Sequence, residues 1–342
     1  YVYTVAGQIA ESVKNDCVVV IKSTVPIGTN DKVETYIREH LKEPVQVDCA
    51  SNPEFLSQGT AVRDTLSASR IIIGAEDENT KQKLLRVYQD FSAPKLVTDR
   101  RSAEMIKYAS NDFLALKISY INEIANFCEI VGADIEDVAQ GMGLDSRIGN
   151  RFLQAGIGYG GSCFPKDTKA LHWLGNYYDN EFKTIKAAIE VNENQKLKLI
   201  KKSRQYYPTL EGLTVAVLGL TFKPGTNDLR EAPSILNVGI LLDDGAKVKA
   251  YDPIAEKEFD KIYPGKLQYA KSPEKALEGA DLCMIFTEWP EIKTLTPETY
   301  CEKMNRPIIL DGRNCYKVQS FYQHPLIYDS IGRKKIDNLN SK

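Results

Sequence analysis

Histidine is scarce in this chain, with three in 342 residues, and His40, His172 and His324 never pair at metal-ligand spacing. No metal site is therefore expected. Cys-x-x-Cys pairs are missing as well. The seven cysteines (Cys17, Cys49, Cys128, Cys163, Cys283, Cys301 and Cys315) are odd in number and scattered. That excludes a disulfide framework and points to a reducing compartment, the cytoplasm. Charge of one sign is lacking too. The 44 basic and 46 acidic residues leave a net charge of -2, so nothing pulls the chain toward nucleic acid or an anionic membrane. No apolar run reaches the length of a membrane span; the longest, such as Cys17-Val-Val-Val-Ile21, have strand length. The first residues have no initiator Met and no basic stretch, so no signal peptide is expected. They carry a helical pattern at once, and the chain reads as one that starts inside a domain.

What is present alternates between strand and helix, and the length suffices for two or three domains. In residues 1–99 the pattern predicts a helix to about Lys14, strands over Cys17–Lys22, Val45–Ala50, Arg70–Gly74 and Lys95–Thr98, and helices over Thr29–Leu41 and Glu78–Phe91. Val/Ile-rich strands between helices imply an α/β domain with a mainly parallel sheet. Two loops follow its strands, Ser23-Thr-Val-Pro-Ile-Gly-Thr29 and Ser51-Asn-Pro-Glu-Phe-Leu56. Ligands in such sheets gather at those strand ends, although Ser-Thr-x-Pro and Asn-Pro also simply start turns. A long helix is expected over Ser102–Val131, ended by Gly132, with Lys107 and Asn111 on one face. It is apolar on other faces, at Ala109, Phe113, Leu116, Tyr120 and Ile124, which suggests a bridge between domains and a dimer contact. A helix over Lys183–Gln205 leads to the boundary at Tyr206–Gly212. From Leu213 the α/β pattern restarts, with strands over Thr214–Gly219, Lys247–Tyr251, Ala280–Thr287 and Pro307–Asp311. The loop after the first of these offers Lys223 and Arg230 ahead of a helix with Pro233 near its start, a setting that favours phosphate. The polar, basic tail after Gly332 is expected to fray.

The stretch Gly156-Ile-Gly-Tyr-Gly-Gly-Ser-Cys-Phe-Pro-Lys-Asp-Thr168 stands apart. Glycines allow positive φ and close approach to a ligand. Pro165 suits the first turn of a helix, which places Cys163 just ahead of a helix N-terminus. There the dipole and Lys166 both favour a thiolate, the setting of a covalent nucleophile. A buried cysteine in a tight loop is the plainer alternative.

Taken together, Ser23-Thr-Val-Pro26, Asn52-Pro-Glu-Phe-Leu56, Ala103-Glu-Met-Ile-Lys-Tyr-Ala-Ser-Asn111, Gly160-Gly-Ser-Cys-Phe-Pro-Lys-Asp167 and Phe222-Lys-Pro-Gly-Thr-Asn-Asp-Leu-Arg230 stand in one order. That order resembles the nucleotide-sugar dehydrogenases, the UDP-glucose/GDP-mannose dehydrogenase family. The Gly-Ser-Cys-Phe-Pro-Lys-Asp run is similar to the bacterial, glucose-oxidising type; N-acetylhexosamine types tend to carry Gly-His-Cys-Ile-Pro there. The resemblance implies two Rossmann-like parallel-sheet domains joined by long central helices. Residues 1–99 would be the remainder of an NAD-binding domain, 100–205 a central helical dimerisation and catalytic region, and 212–330 a UDP-binding domain. The family begins with a Gly-x-Gly-x-x-Gly turn and a ribose-binding acid, and the first domain here has neither. This implies a truncated first domain, short by at least roughly 60 residues if two βαβ units are missing.

The resemblance further implies NAD-dependent, four-electron oxidation of UDP-glucose to UDP-glucuronate in a cytoplasmic homodimer that supplies polysaccharide synthesis. Cys163 would be the nucleophile. Lys107 and Asn111 would stabilise oxyanion charge, Asp167 would act as a base, and Glu54 and Thr24 would position water. Substrate contacts would come from Glu54, Phe55, Leu56, Ser57 and Gln58, from Lys107 and Asn111, and from Phe152, Leu153, Gln154, Ala155 and Gly156. Tyr159, Gly160, Lys223, Arg147 and Arg313 would add to them, with Arg147 reaching the neighbouring subunit's substrate. Thr24, Gln58, Lys166 and Arg230 would contact NAD. Gln58 stands where the family often has Glu, so Glu54 is that loop's remaining carboxylate. Alternatives are a GDP-mannose or UDP-N-acetylhexosamine dehydrogenase, or a non-catalytic fragment that binds sugar nucleotide.

Overall fold

The computed structural model describes residues 1–339, in two compact units. The first comprises Tyr1–Asp112 and Trp173–Asn180, the second Phe113–His172 and Glu181–Lys342. In the first, helix α1 (Val2–Ser12) precedes β1 (Cys17–Ile21), α2 (Thr29–His40), β2 (Val47–Ser51), α3 (Ala61–Leu66), β3 (Ile71–Gly74), α4 (Glu78–Val87) and β4 (Lys95–Thr98). The sheet runs in the order β1-β2-β3-β4. Its outer pairs are parallel, but β2 and β3 meet only at Ser51 and Gly74, with antiparallel geometry. The sheet is thus mainly parallel, as expected, and the one exception has a local cause. Asn52, just past β2, donates its side-chain amide to Ile72 O at 2.7 Å, so a side chain joins the strands where a ladder would. The apolar residues of α1, α2 and β2 (Ala6, Ala10, Val33, Ile37, Val47 and Cys49) form one small core.

The long helix α5 (Arg100–Val131) starts two residues earlier than expected, since Asp99 caps it by accepting from Ser102 N at 2.7 Å. Gly132 ends it at φ 78°, with nothing near its missing side chain. Beyond it lie α6 (Ile135–Gly143), α7 (Phe164–Tyr177), α8 (Lys183–Lys196) and α9 (Lys198–Ser203). The single helix expected over Lys183–Gln205 is thus two. Between them the amide of Asn237 donates to Lys196 O at 2.7 Å, giving that carbonyl a side-chain partner at the break.

The second unit holds a seven-stranded sheet. Its strands are β5 (Thr214–Leu218), β6 (Lys247–Tyr251), β7 (Gln268–Tyr269), β8 (Leu282–Ile285), β9 (Ile308–Asp311), β10 (Ile327–Ser330) and β11 (Ile336–Asp337), in the order β11-β10-β9-β8-β5-β6-β7. Helix α10 (Pro233–Asp243) and several short helices make the connections. All neighbours are parallel except β10 and β11. Alternation along the central strands builds two cores. Val215, Val217, Leu282, Met284, Ile308 and Leu310 enter one, together with Ile121, Ala125 and Cys128 of α5; Ala216, Leu218, Cys283, Ile285 and Ile309 enter the other.

The tail does not fray where it is described. Arg333 is buried and donates to Ser330 Oγ (2.9 Å), Glu136 Oε1 (2.8 Å), Tyr316 O (2.8 Å) and the Tyr328 hydroxyl (2.7 Å). β11 then pairs with β10. A polar, basic sequence concealed this, because the guanidinium is covered only once distant acceptors converge on it. The last three residues lie outside the described ones. Arg333→Leu is expected to cost about 3 kcal/mol, since it strands several buried acceptors. Urea unfolding measures this, and a loss below about 1 kcal/mol would show that the tail is peripheral.

Candidate active site

In the first unit the sequence-predicted residues gather on two loops and one helix face. Gly28, at φ 85°, lets the Ser23–Thr29 loop turn into α2. Glu104 of α5 receives that turn: its carboxylate accepts from Gly28 N (2.5 Å), Asn30 N (2.9 Å) and the Asn30 side-chain amide (2.7 Å). A buried carboxylate on a helix N-terminus satisfies donors that would otherwise be orphaned. Half-buried Thr24 lies on the loop so tethered.

One turn further along α5, Lys107 is also buried, with 4% of its side chain exposed. It donates to the Glu54 carbonyl and lies 3.2 Å from Glu54 Oε1. Glu54 Oε2 accepts from Leu56 N at 2.7 Å, which folds the loop around its own carboxylate. The Phe55 ring has the Lys107 ammonium at 5.1 Å and the Arg70 guanidinium at 3.9 Å from its centroid. Arg70 is held in turn by Ser110 Oγ at 3.1 Å. Asn111 is buried one turn after Lys107, while Ser57 and Gln58 are exposed. Glu104 and Arg70 have no role in the sequence reading. The first sits inside the quoted Ala103–Asn111 motif, and the second directly precedes β3.

In the second unit Cys163 stands immediately before α7, where Asp167 N closes the first turn onto its carbonyl at 2.9 Å. Among the described residues, Cys163 is the one exposed cysteine. Burial pushes the other six thiols up, Cys49 to about 12. Ser162 Oγ lies 3.8 Å from the Cys163 sulfur. Phe164 meets Tyr159 and Phe152 edge-on, at 5.9 and 6.2 Å between centroids. Asp167 is 1% exposed and accepts from Lys166 Nζ at 2.6 Å, so the cation expected beside the thiol is held by the neighbouring carboxylate.

Arg230 is gripped by Asp228 through Nε (2.9 Å) and Nη2 (2.8 Å). That hydrogen bonding raises its pKa. The two loops touch closely. Gly161 N donates to Arg230 O at 2.8 Å, and a Cβ on Gly160 would lie 2.4 Å from Glu231 O. Gly156, Gly158 and Gly161 have dinucleotide-type spacing, yet protein atoms fill the space beside them: Gly312 O, the Asn192 side chain and the Phe222 ring. They serve close packing, not a phosphate cradle.

Arg313 donates to Phe286 O (2.7 Å), Gly158 O (3.1 Å) and Phe222 O (3.0 Å), tying three loops together. It also lines a cavity of about 360 Å³ with Asn150, Leu153, Gln154 and Ala155. Phe152, just before Leu153, takes the left-handed conformation at φ 65°. Lys223 is half-buried, its ammonium 5.6 Å from the Phe222 ring centroid, and Pro233 opens α10 as expected. Arg147 is 87% exposed and forks onto Asp145 at 2.6 Å. No group of three or more His, Cys, Asp or Glu among the described residues could hold a metal, and no helix there is long and apolar enough to cross a membrane.

Family models match in three consecutive segments. Residues 1–92 match the NAD binding domain of the UDP-glucose/GDP-mannose dehydrogenase family, 101–194 its central domain and 216–318 its UDP binding domain. The class is therefore an NAD-dependent oxidoreductase built on α/β nucleotide-binding units. Within that class, the chain belongs to the UDP-glucose/GDP-mannose dehydrogenase family. It is 50% identical over 331 residues to the UDP-glucose 6-dehydrogenase YwqF of Bacillus subtilis, covering 97% of this chain and 75% of that protein. Among solved structures, a UDP-glucose dehydrogenase from Pyrobaculum islandicum is 36% identical with a TM-score of 0.89, over 97% of this chain and 74% of that one. A UDP-D-ManNAc dehydrogenase from Pyrococcus horikoshii is 28% identical with a TM-score of 0.83, over 97% and 77%. Because the NAD-binding match begins at residue 1, the expected loss of that domain's N-terminal part finds no support, although residues 1–92 hold no Gly-x-Gly-x-x-Gly.

Proposed function

We propose that the chain oxidises UDP-glucose to UDP-glucuronate through a covalent intermediate on Cys163. The observation that carries this reading is an exposed thiol at the head of α7, where the other six cysteines are buried (Cys49, Cys128, Cys283) or half-buried (Cys17, Cys301, Cys315). NAD+, held by Thr24, Gln58, Lys166 and Arg230, would supply the oxidising power for two hydride removals. The residues fit such a group: a tethered Thr24 loop at the carboxyl end of β1, and exposed Lys166 and Arg230 to meet phosphate charge. Gln58 is the further contact on that side.

The first oxidation leaves an aldehyde at the sugar C6. The Cys163 thiolate adds to that carbon, and the carbonyl oxygen takes up the charge. The ammonium of Lys107, with the Asn111 amide, stabilises this oxyanion. Loss of the second hydride turns the thiohemiacetal into a thioester. Water then breaks the carbon–sulfur bond, giving carboxylate and free thiol, with Asp167 as its base and Glu54 and Thr24 placing it. Two hydrides leave and one water enters. Covalent capture keeps the aldehyde from escaping.

In this reading the UDP moiety takes the Phe152–Gly156 segment, Lys223 and Arg313, and the sugar takes the Glu54–Gln58 loop with Tyr159 and Gly160. A homodimer would cover the stripe Phe113, Tyr120, Phe127 and Val131 of α5, exposed in the second unit, and would bring Arg147 to the neighbouring substrate. The free thiols suit the cytoplasm. A panel of UDP-glucose, UDP-N-acetylhexosamines and GDP-mannose tests the substrate. Acid formation and NADH release from UDP-glucose, with the others at least about tenfold slower in kcat/KM, are expected. Preference for another sugar nucleotide would replace the assignment, and UDP binding without NAD reduction would mark a non-catalytic binder.

A further inference from the structure

The segment leading to Cys163 is held by side-chain amides beside two backbone bonds, Ile157 N to Gly312 O and Gly161 N to Arg230 O, each 2.8 Å. Gly156 N donates to Asn122 Oδ1 at 2.8 Å, and Gly156 O accepts from Gln195 Nε2 at 2.6 Å. At Tyr159 one amide does both jobs: Asn192 Oδ1 accepts from Tyr159 N at 2.8 Å, and Asn192 Nδ2 donates to Tyr159 O at 3.1 Å. Asn122, Asn192 and Gln195 are at most 1% exposed. Asn126 holds Gln195 in register through a 2.8 Å bond to its carbonyl.

We propose that Asn192 is a positioning residue, which acts through the Tyr159 backbone to set where Cys163 stands. The proposal rests on the reading of Cys163 as nucleophile. The chain between the clamp and α7 has little slack. Added carbon at Gly158, Gly160 or Gly161 would meet Asn192, Glu231 O or the Phe222 ring at 2.7, 2.4 and 2.8 Å. Downstream, Gly161 N is pinned by Arg230 O. A shift at Tyr159 is therefore passed along to the thiol. A side-chain amide offers one donor and one acceptor at this spacing throughout the near-neutral pH range. A carboxylate in its place would turn a lone pair toward Tyr159 O, and protonating it would restore both bonds.

Asn192→Asp and Asn192→Ala in the full 342-residue chain test this against wild type. Two readouts are taken at about pH 8.5 and about pH 6: alkylation of Cys163 by iodoacetamide, followed on its own peptide by mass spectrometry, and kcat and KM for UDP-glucose. At the higher pH both variants are expected to differ from wild type in Cys163 alkylation and to lose about a hundredfold in kcat, the scale of an ångström of misplacement. At the lower pH the Asp variant returns toward wild type in both ratios, and the Ala variant does not. An Asp variant equal to wild type at both pH values overturns the proposal, as does an equal, pH-independent loss in both variants. If the wild type makes no UDP-glucuronate, the functional reading fails, and the alkylation ratios decide the clamp alone. If either variant loses its cooperative thermal transition, Gln195→Glu repeats the test at Gly156 O, with the same pair of outcomes.

Discussion

Replacing Cys163 by serine is expected to lower UDP-glucuronate formation by about 10⁴-fold while UDP-glucose affinity changes by no more than about twofold. A serine hydroxyl has no comparable ionised form near neutral pH, and the Ser162 hydroxyl 3.8 Å from the sulfur is no base to generate one. No other thiol takes over, because the remaining six are buried or half-buried and burial holds each toward its neutral form. The contacts proposed for UDP lie on other residues and survive the change. The measurement is acid produced per enzyme, with UDP-glucose binding followed by calorimetry. Acid made at the wild-type rate would remove Cys163 from the chemistry.

Lys107→Ala is expected to lower kcat by about 10² to 10³-fold, with a much smaller change in KM. The ammonium sits where water is excluded, with 4% of its side chain exposed, and the Glu54 carbonyl and the Phe55 ring fix its place. A preorganised charge in such surroundings acts more strongly on a developing oxyanion than the same charge in water. The variant also leaves the Glu54 carbonyl without its donor, so the thermal midpoint must be followed beside the kinetics. A change confined to KM would assign Lys107 to uniform binding instead. An unchanged kcat in a folded variant would remove it from the mechanism.

Much of the architecture was legible because it follows from local pattern. Runs such as Cys17-Val-Val-Val-Ile21 and Thr214-Val-Ala-Val-Leu218 have few alternatives to a strand between helices. Gly132 and Pro233 marked helix ends by their own backbone limits. Four-residue spacing put Lys107 and Asn111 on one helix face. Illegible were the places where a side chain takes over backbone work. Asn52 stitches β2 to β3, Asn237 serves the break after α8, and Arg333 anchors a tail that reads as frayed. Each looks like an ordinary polar residue until a partner far along the chain is brought to it.

The candidate site divides in the same way. The sequence by itself determined the chemical inventory: one glycine-flanked thiol ahead of a helix, a lysine and an asparagine one turn apart, and the loops at the strand ends. These follow from covalent structure and from short-range sterics. Tertiary structure alone decided which of those groups are exposed, buried or already engaged. It buried or half-buried six thiols and left Cys163 open, paired Lys166 with Asp167, sank Lys107 onto the Glu54 loop, and aligned Asn192 with both backbone polar groups of Tyr159. Burial and hydrogen-bond pairing depend on what distant segments bring within about 3 Å, and no window of neighbouring residues contains that information.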